Sequence, residues 1–246
     1  MTVVAVGSVA GSPGATSLAV GLAVSWPTDV RRVVVEADPD GGRLGAELGI
    51  GVEPGLMALA LAVRTSQLSG AALVEQGAAD LGTWSVIPAP PSAEQAHSAL
   101  VHAAAPLAAT MAADEGTVWV VDAGRLAPRS PSLPFAKAAD HTLIVTAGSF
   151  SALQLVPHRV DALRTAGCRP GVVVVEPLPW PMEEVADFVG ADVVTVVPRV
   201  AARREGIAAM SASAWRPWWR RVEATARYLQ AAEHDASVTE RSEVGR

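Results

Sequence analysis

Val3-Val4-Ala5-Val6-Gly7-Ser8-Val9-Ala10-Gly11-Ser12-Pro13-Gly14-Ala15-Thr16-Ser17-Leu18-Ala19-Val20 joins a short β-branched run to a segment of helical spacing that begins near Thr16. Between the two lies a loop of small residues in which Gly7, Gly11 and Gly14 recur. A glycine-rich turn between a buried strand and a helix N-terminus aims backbone N–H groups and the positive end of the helix dipole at one spot, which is how a phosphate is held. The same residues also suit a tight strand-to-helix turn that needs small side chains only for packing. The loop alone leaves both readings open.

Short, nearly all-apolar runs recur at 3–6, 33–35, 84–87, 118–121, 143–145, 172–175 and 193–197, as expected of strands covered on both faces. Alanine- and leucine-rich segments with helical spacing lie between them, notably 17–25, 93–112, 152–166 and 182–189. This alternation predicts one doubly wound α/β domain over residues 1–232, with a mostly parallel sheet of about seven strands, helices on both faces and right-handed crossovers. In such sheets ligands bind beyond the carboxyl ends of the strands. From 233 to 246 the chain turns polar, and a disordered tail is expected there.

Composition excludes several classes of protein. Of 246 residues, 50% are hydrophobic and 18% charged, so most of the chain packs. A net charge of −6 gives no general electrostatic footprint for nucleic acid. The single cysteine, Cys168, rules out an internal disulfide and a thiolate zinc site, and fits a reducing, cytoplasmic setting. Residues 1–28 carry no charge, but no Lys or Arg precedes the apolar part as a signal peptide requires. The apolar run 18–26 is far short of the ~20 residues that span a bilayer. The five histidines show no metal-ligand spacing, and no G-x-S-x-G elbow is present.

The second apolar run continues as Glu36-Ala37-Asp38-Pro39-Asp40-Gly41-Gly42, and the fourth ends Val121-Asp122-Ala123-Gly124. Acids thus stand at the carboxyl ends of two strands that would flank the loop. With these motifs the chain resembles the MinD/ParA family of deviant Walker P-loop ATPases over residues 2–229. The family's loop, K-G-G-x-G-K-[ST]-[ST], falls on Ala10-Gly11-Ser12-Pro13-Gly14-Ala15-Thr16-Ser17. Its D-x-D-x-x-G-G falls on residues 36–42, its Walker B aspartate on Asp122 and its late I-P motif on Val197-Pro198. The resemblance implies an ATP site lined by Gly11, Ser12, Gly14, Ala15, Thr16 and Ser17. Mg²⁺ would be held by Thr16 and Asp122, and the attacking water oriented by Asp38.

The departures concern charge. Ala15 stands where the family has the lysine that reaches the β/γ-phosphates, and Ala10 where it has the lysine used across the dimer. No replacement is expected nearby. Lys137 is the only lysine, and Arg31 and Arg32, the nearest arginines in sequence, open the second strand at the far end of the sheet. Phosphoryl transfer relies on cations placed at the transferred group, so losing one costs several kcal/mol in the transition state, or several orders of magnitude in rate. Pro13 removes a further loop N–H, and Glu176-Pro177-Leu178 replaces the asparagine that usually recognises adenine. The resemblance then implies a pseudo-ATPase that acts as a positioning or scaffold protein in partition, septum placement, or pilus or secretion-system localisation. It would recruit protein partners, and any homodimer would be nucleotide-independent. The alternative is a slow Mg·ATP hydrolase of the same family. A dinucleotide turn, with Glu36 or Asp38 on a ribose, is a minor alternative. Its glycine spacing departs from G-x-G-x-x-G, and Tyr228 is too far from Lys137 for a short-chain dehydrogenase pair.

Between Arg199 and Arg227 seven arginines face two glutamates, with Trp215, Trp218 and Trp219 interleaved. This pattern suits the inner membrane face, a nucleic-acid backbone or an acidic partner. Val222, Ala226 and Leu229 instead have the spacing of a helix docked on its own domain, and that reading is preferred. For Trp180, set among Pro177, Pro179 and Pro181, ordinary loop packing is preferred over a partner contact.

Overall fold

The computed structural model describes residues 2–11, 13–199 and 215–244. Ser12 of the loop, and Arg203 and Arg204 of the basic segment, lie outside the described residues. Strands β1 (Thr2–Ser8), β2 (Arg31–Glu36), β3 (Ala79–Asp80), β4 (Ser85–Ile87), β5 (Thr117–Arg125), β6 (His141–Ala147), β7 (Pro170–Val175) and β8 (Val193–Val197) form one sheet in the order β3-β4-β2-β5-β1-β6-β7-β8. All neighbouring pairs are parallel except β3 with β4. The seven expected strands are present. The eighth, β3, is a two-residue edge strand with no apolar run to announce it.

Helices α1 (Ala15–Ser25), α2 (Leu44–Leu48), α3 (Leu56–Ala62), α4 (Gly70–Gly77), α5 (Ala93–Ala112), α6 (Leu133–Ala138), α7 (Phe150–Leu153), α8 (Val156–Thr165), α9 (Met182–Val189) and α10 (Arg216–Val244) cover the sheet. Alternate residues of β1 serve opposite layers, as the period of a strand requires. Val4 and Val6 pack with α1 and α10. On the other face Val3 packs with α3 and α5, and Ala5 with α8 and α9. From β1 the chain crosses to β2 on one side and from β6 to β7 on the other, so a crevice opens at the carboxyl end of the sheet beside β1, where the glycine loop emerges.

Helix α1 has no charged residue and buries seven of its eleven, because it is covered twice, by the sheet and by α10. Gly21 leaves no room for a Cβ against the Trp218 ring, so the tryptophan seats directly on the α1 backbone. Trp215, Trp218, Val222, Ala226 and Leu229 are all buried there, while Arg216, Arg220, Arg221 and Arg227 remain exposed. From Trp215 on, the basic segment thus docks on its own domain along α10 and turns Arg216, Arg220, Arg221 and Arg227 to solvent. Helix α10 runs on to Val244, past the boundary at 232 where the sequence predicts the domain to end. The added stretch contains alanine, glutamate and arginine and no Gly or Pro.

Trp218→Ala should cost about 3–5 kcal/mol of stability in urea unfolding, the range for removing a buried aromatic. Gly21→Leu should destabilise by wedging α10 off α1. An unchanged urea midpoint in both variants would mean that α10 does not rest on α1.

Candidate functional site

The loop is set by its two ends. At the strand end, a Cβ on Gly7 would lie 2.6 Å from Leu126 Cγ, and the Leu126 N–H donates to the Ser8 carbonyl at 3.2 Å, so β1 and the segment after β5 leave together. At the helix end Gly14 has φ +101°, a left-handed conformation that favours glycine, and its carbonyl accepts the Leu18 N–H at 2.9 Å. Among the described residues no side chain caps α1. The N–H groups of its first turn, Ala15 to Ser17, lack the i−4 carbonyl of a helix interior, which is the anion-holding arrangement expected from the sequence. Gly11, also left-handed at φ +68°, is exposed at the loop's crest. The Ala15 methyl is buried in the core with Leu18, so the position that resembles the P-loop lysine is used for packing.

The two predicted magnesium positions are brought together, with the Thr16 hydroxyl close enough to the Asp122 carboxylate to lower its pKa. Asp122 is buried on β5, in register with Glu36 of β2. Burial pushes its carboxyl up to about 7. The Thr16 hydroxyl and the Gly124 N–H, at 3.3 Å, oppose that rise, while Glu36 and Asp38 add to it by repulsion.

Glu36 has a different task. Its Oε1 accepts the N–H groups of Arg43 at 2.6 Å and Leu44 at 2.9 Å, and its Oε2 accepts that of Ala89 at 2.9 Å. One buried carboxylate therefore ties the end of β2 to the start of α2 and to the segment after β4. Burial pushes its carboxyl upward and these three bonds oppose it. A Cβ on Gly42 would lie 2.5 Å from Oε2, so the glycine pair that follows is needed for close approach. Both oxygens of Glu36 are already engaged, which removes it as a ribose ligand.

Asp38 is half-buried, and its Oδ1 accepts the Asp40 N–H at 2.9 Å. Its carboxylate lies on the Cα of Gly124, where no Cβ would fit. Burial raises its carboxyl, the Asp40 N–H bond lowers it, the Asp40 charge raises it, and Arg125 and Arg43 lower it. These arginines correct the expectation that no cation lies near the site. Arg125 is in register with Ser8 at the mouth of the loop, and Arg43 follows the glycine pair. Both are exposed, and Arg43 also pairs with Glu47 at 3.9 Å. Arg31 and Arg32 do lie at the opposite end of the sheet, beside Thr117 and Val118.

A hydroxyl and a carboxylate form a hard oxygen pair that suits Mg²⁺ with most of its water shell, and the uncapped N–H groups suit a phosphate. The donor set therefore fits a hydrated magnesium ion bridging to a phosphate. Thr16 would ligate the ion, Asp122 would hold its waters, and the ion would supply positive charge at the phosphate oxygens. A bare polyphosphate fits poorly, because the loop itself carries no cation while Asp38 raises the carboxyl pKa of Glu36, and both raise that of Asp122. At the end of β7, Glu176 is exposed and its N–H donates to the Val197 carbonyl at 2.9 Å. Trp180 is 38% exposed, and its ring centroid lies 6.5 Å from that of Phe150.

The fold is that of the ParA and MinD ATPases. A ParA family ATPase from Chlorobium tepidum TLS superposes with a TM-score of 0.76 at 16% identity, covering 92% of this chain and 97% of the other. The Pyrococcus furiosus cell division ATPase MinD gives 0.67 at 19% identity over 93% and 99% of the two chains. The septum site-determining protein MinD from Pyrococcus horikoshii OT3, complexed with Mg-ADP, gives 0.66 at 18% over 90% and 94%. No protein-family model matches the chain, and no curated protein matches its sequence at a significant level.

An unfolded aspartate releases its proton near 3.8, whereas folded Asp122 holds it to about 7. The folded state thus binds more protons across this window, so the Asp122 contribution to stability falls as pH rises from about 4 to 7. At about 1.4 kcal/mol per unit, the loss is at most about 4 kcal/mol. Asp122→Asn should therefore match wild type near pH 4 and exceed it increasingly up to pH 8. Urea unfolding at both pH values reads the difference, and a constant offset would contradict it.

Proposed function

We propose that this chain is a MinD/ParA-like pseudo-ATPase that works as a cytoplasmic positioning or scaffold protein, recruiting protein partners with little or no nucleotide hydrolysis. One observation carries this reading. At the loop position that holds the cation in resembling proteins, Ala15 points a methyl into the core. The nearest arginine charges act on Asp38, the residue that would orient water. Mg·nucleotide binding, if retained, rests on the N–H cradle, Thr16 and Asp122, and is weak. Partition, septum placement and pilus or secretion-system localisation are the processes this reading covers. Among the described residues no helix is long and apolar enough to cross a membrane. The apolar side of α10 is spent on α1, so any membrane or nucleic-acid contact would fall to its arginine face. A homodimer, if formed, does not depend on nucleotide, because Ala10 offers no charge to a partner's phosphate.

A second reading, a slow Mg·ATP hydrolase, is favoured by Arg125 alone, since this guanidinium stands at the loop mouth beside Asp38. A dinucleotide role loses ground because Glu36 is fully engaged with backbone N–H groups.

Purified protein should release phosphate from Mg·ATP no faster than a protein-free blank, and light scattering should give the same mass with and without Mg·ATP. Sustained turnover that disappears in Arg125→Ala would establish the hydrolase reading instead.

A further inference from the structure

At the amino end of the sheet, away from the glycine loop, a cavity of about 360 Å³ opens between the starts of β6, β7 and β8, the end of α8 and the middle of α10. Cavities of about 300–1,000 Å³ are the size that takes small molecules. Leu143 and Leu229, both buried, belong to its apolar lining, and Tyr228, 56% exposed, adds an aromatic ring and a hydroxyl.

Its charged groups are Arg164, Arg169 and Asp192. All three are exposed, and none of their side chains has a hydrogen-bond or ion-pair partner among the described residues. Two guanidinium groups thus line one cavity without taking the carboxylate that lines it with them, so their donors stay available. On a chain of net charge −6 this is a local reversal of sign.

The backbone that carries these groups is pinned. Helix α8 ends at a left-handed Gly167, φ +90°, where the Gly167 N–H donates to the Arg164 carbonyl and the Cys168 N–H to the Leu163 carbonyl, both at 2.9 Å. The Arg169 carbonyl accepts the Thr142 N–H at 3.4 Å, and the Asp192 carbonyl accepts the Val172 N–H at 2.8 Å. His141 Nε2 donates to the Leu229 carbonyl at 3.1 Å, which ties the start of β6 to α10. Little backbone ordering is left to be done when a ligand arrives.

The chemistry of the lining selects the ligand. Guanidinium forks match a carboxylate or a phosphate, and the leucines and the Tyr228 ring suit an apolar ring. The Asp192 carboxylate can only accept, so it calls for a hydroxyl or amine on the same ligand. An extended polyanion or an anionic membrane would meet Asp192 with nothing to offer it.

We propose that this cavity binds a small organic acid, a carboxylate or phosphate monoester on an apolar ring, with Arg164 and Arg169 on the anionic group and Asp192 on a hydroxyl or amine. The site is independent of the function proposed above, because it lies at the opposite end of the parallel strands from the loop. An occupant would touch α10 at Tyr228 and Leu229 and so hold against the sheet the helix that rests on α1.

Calorimetry of the full chain with 4-hydroxyphenylacetate, with phenyl phosphate and with tyramine tests the site, since tyramine keeps the ring and hydroxyl but reverses the charge. At least one of the two acids should bind saturably and tyramine should not, and the tighter acid assigns the anionic group. Arg164→Gln with Arg169→Gln should weaken that binding at least about tenfold. Ala232→Trp should weaken it as much by filling the cavity while both arginines stay in place. The thermal unfolding midpoint of the arginine variant should change little, since both side chains are exposed. The proposal is overturned if neither acid binds, if tyramine binds as well as the acids, or if both variants bind like wild type, as they would were the anion held at the glycine loop. Phosphate release plays no part in this assay, so the inference and the pseudo-ATPase reading can fail independently.

Discussion

Three acids, Glu36, Asp38 and Asp122, crowd the carboxyl end of β2 and β5, and the neighbouring loop brings no cationic side chain to balance them. What the loop can hold follows from that imbalance. A buried carboxylate is tolerated when it is hydrogen-bonded or protonated. Glu36 takes the first course, with three backbone N–H partners, and Asp122 leans toward the second. Neither course offers a polyphosphate what transfer chemistry needs, a fixed positive charge at the group that moves.

The glycines around these acids explain how a nucleotide-site shape persists when its charges differ. Gly42 is needed because Glu36 lies against it, and Gly124 because Asp38 does. Gly7 is needed because Leu126 does. Each requirement comes from packing within the chain and holds whether or not a nucleotide binds. The segment after β2 would keep its form if the chain only folded and recruited, since Glu36 organises α2 and the segment after β4 from the interior. The loop's chemistry is a separate matter, held in a few side chains, and Ala10 and Ala15 are the ones that differ from the resembling pattern.

The sheet was legible because a strand covered on both faces must be a nearly continuous apolar run, and seven such runs stand out from their surroundings. The short helices α2, α3 and α6 were not legible, being too brief for a helical period to show, and neither were α4 and β3. The loop, Thr16, Asp38 and Asp122 could be placed from their positions after the apolar runs. Arg125 and Arg43 were missed because nearness in sequence to the loop pointed to Arg31 and Arg32, which open a strand rather than close one. A strand reverses that logic, since residues after its carboxyl end meet the ligand crevice, and Arg125 ends β5 three residues after Asp122. Phe150 and Trp180 were invisible as a pair because thirty residues and a parallel crossover separate them. Only the adjacency of β6 and β7 brings them together.

The most direct measurement is calorimetry of Mg·ATP with wild type and with Ala15→Lys, which restores a single cation to the first turn of α1. The lysine variant should bind at least about tenfold more tightly than wild type, a gain of about 1.4 kcal/mol. Equal and tight binding by both proteins would contradict the idea that missing positive charge is what silences this loop.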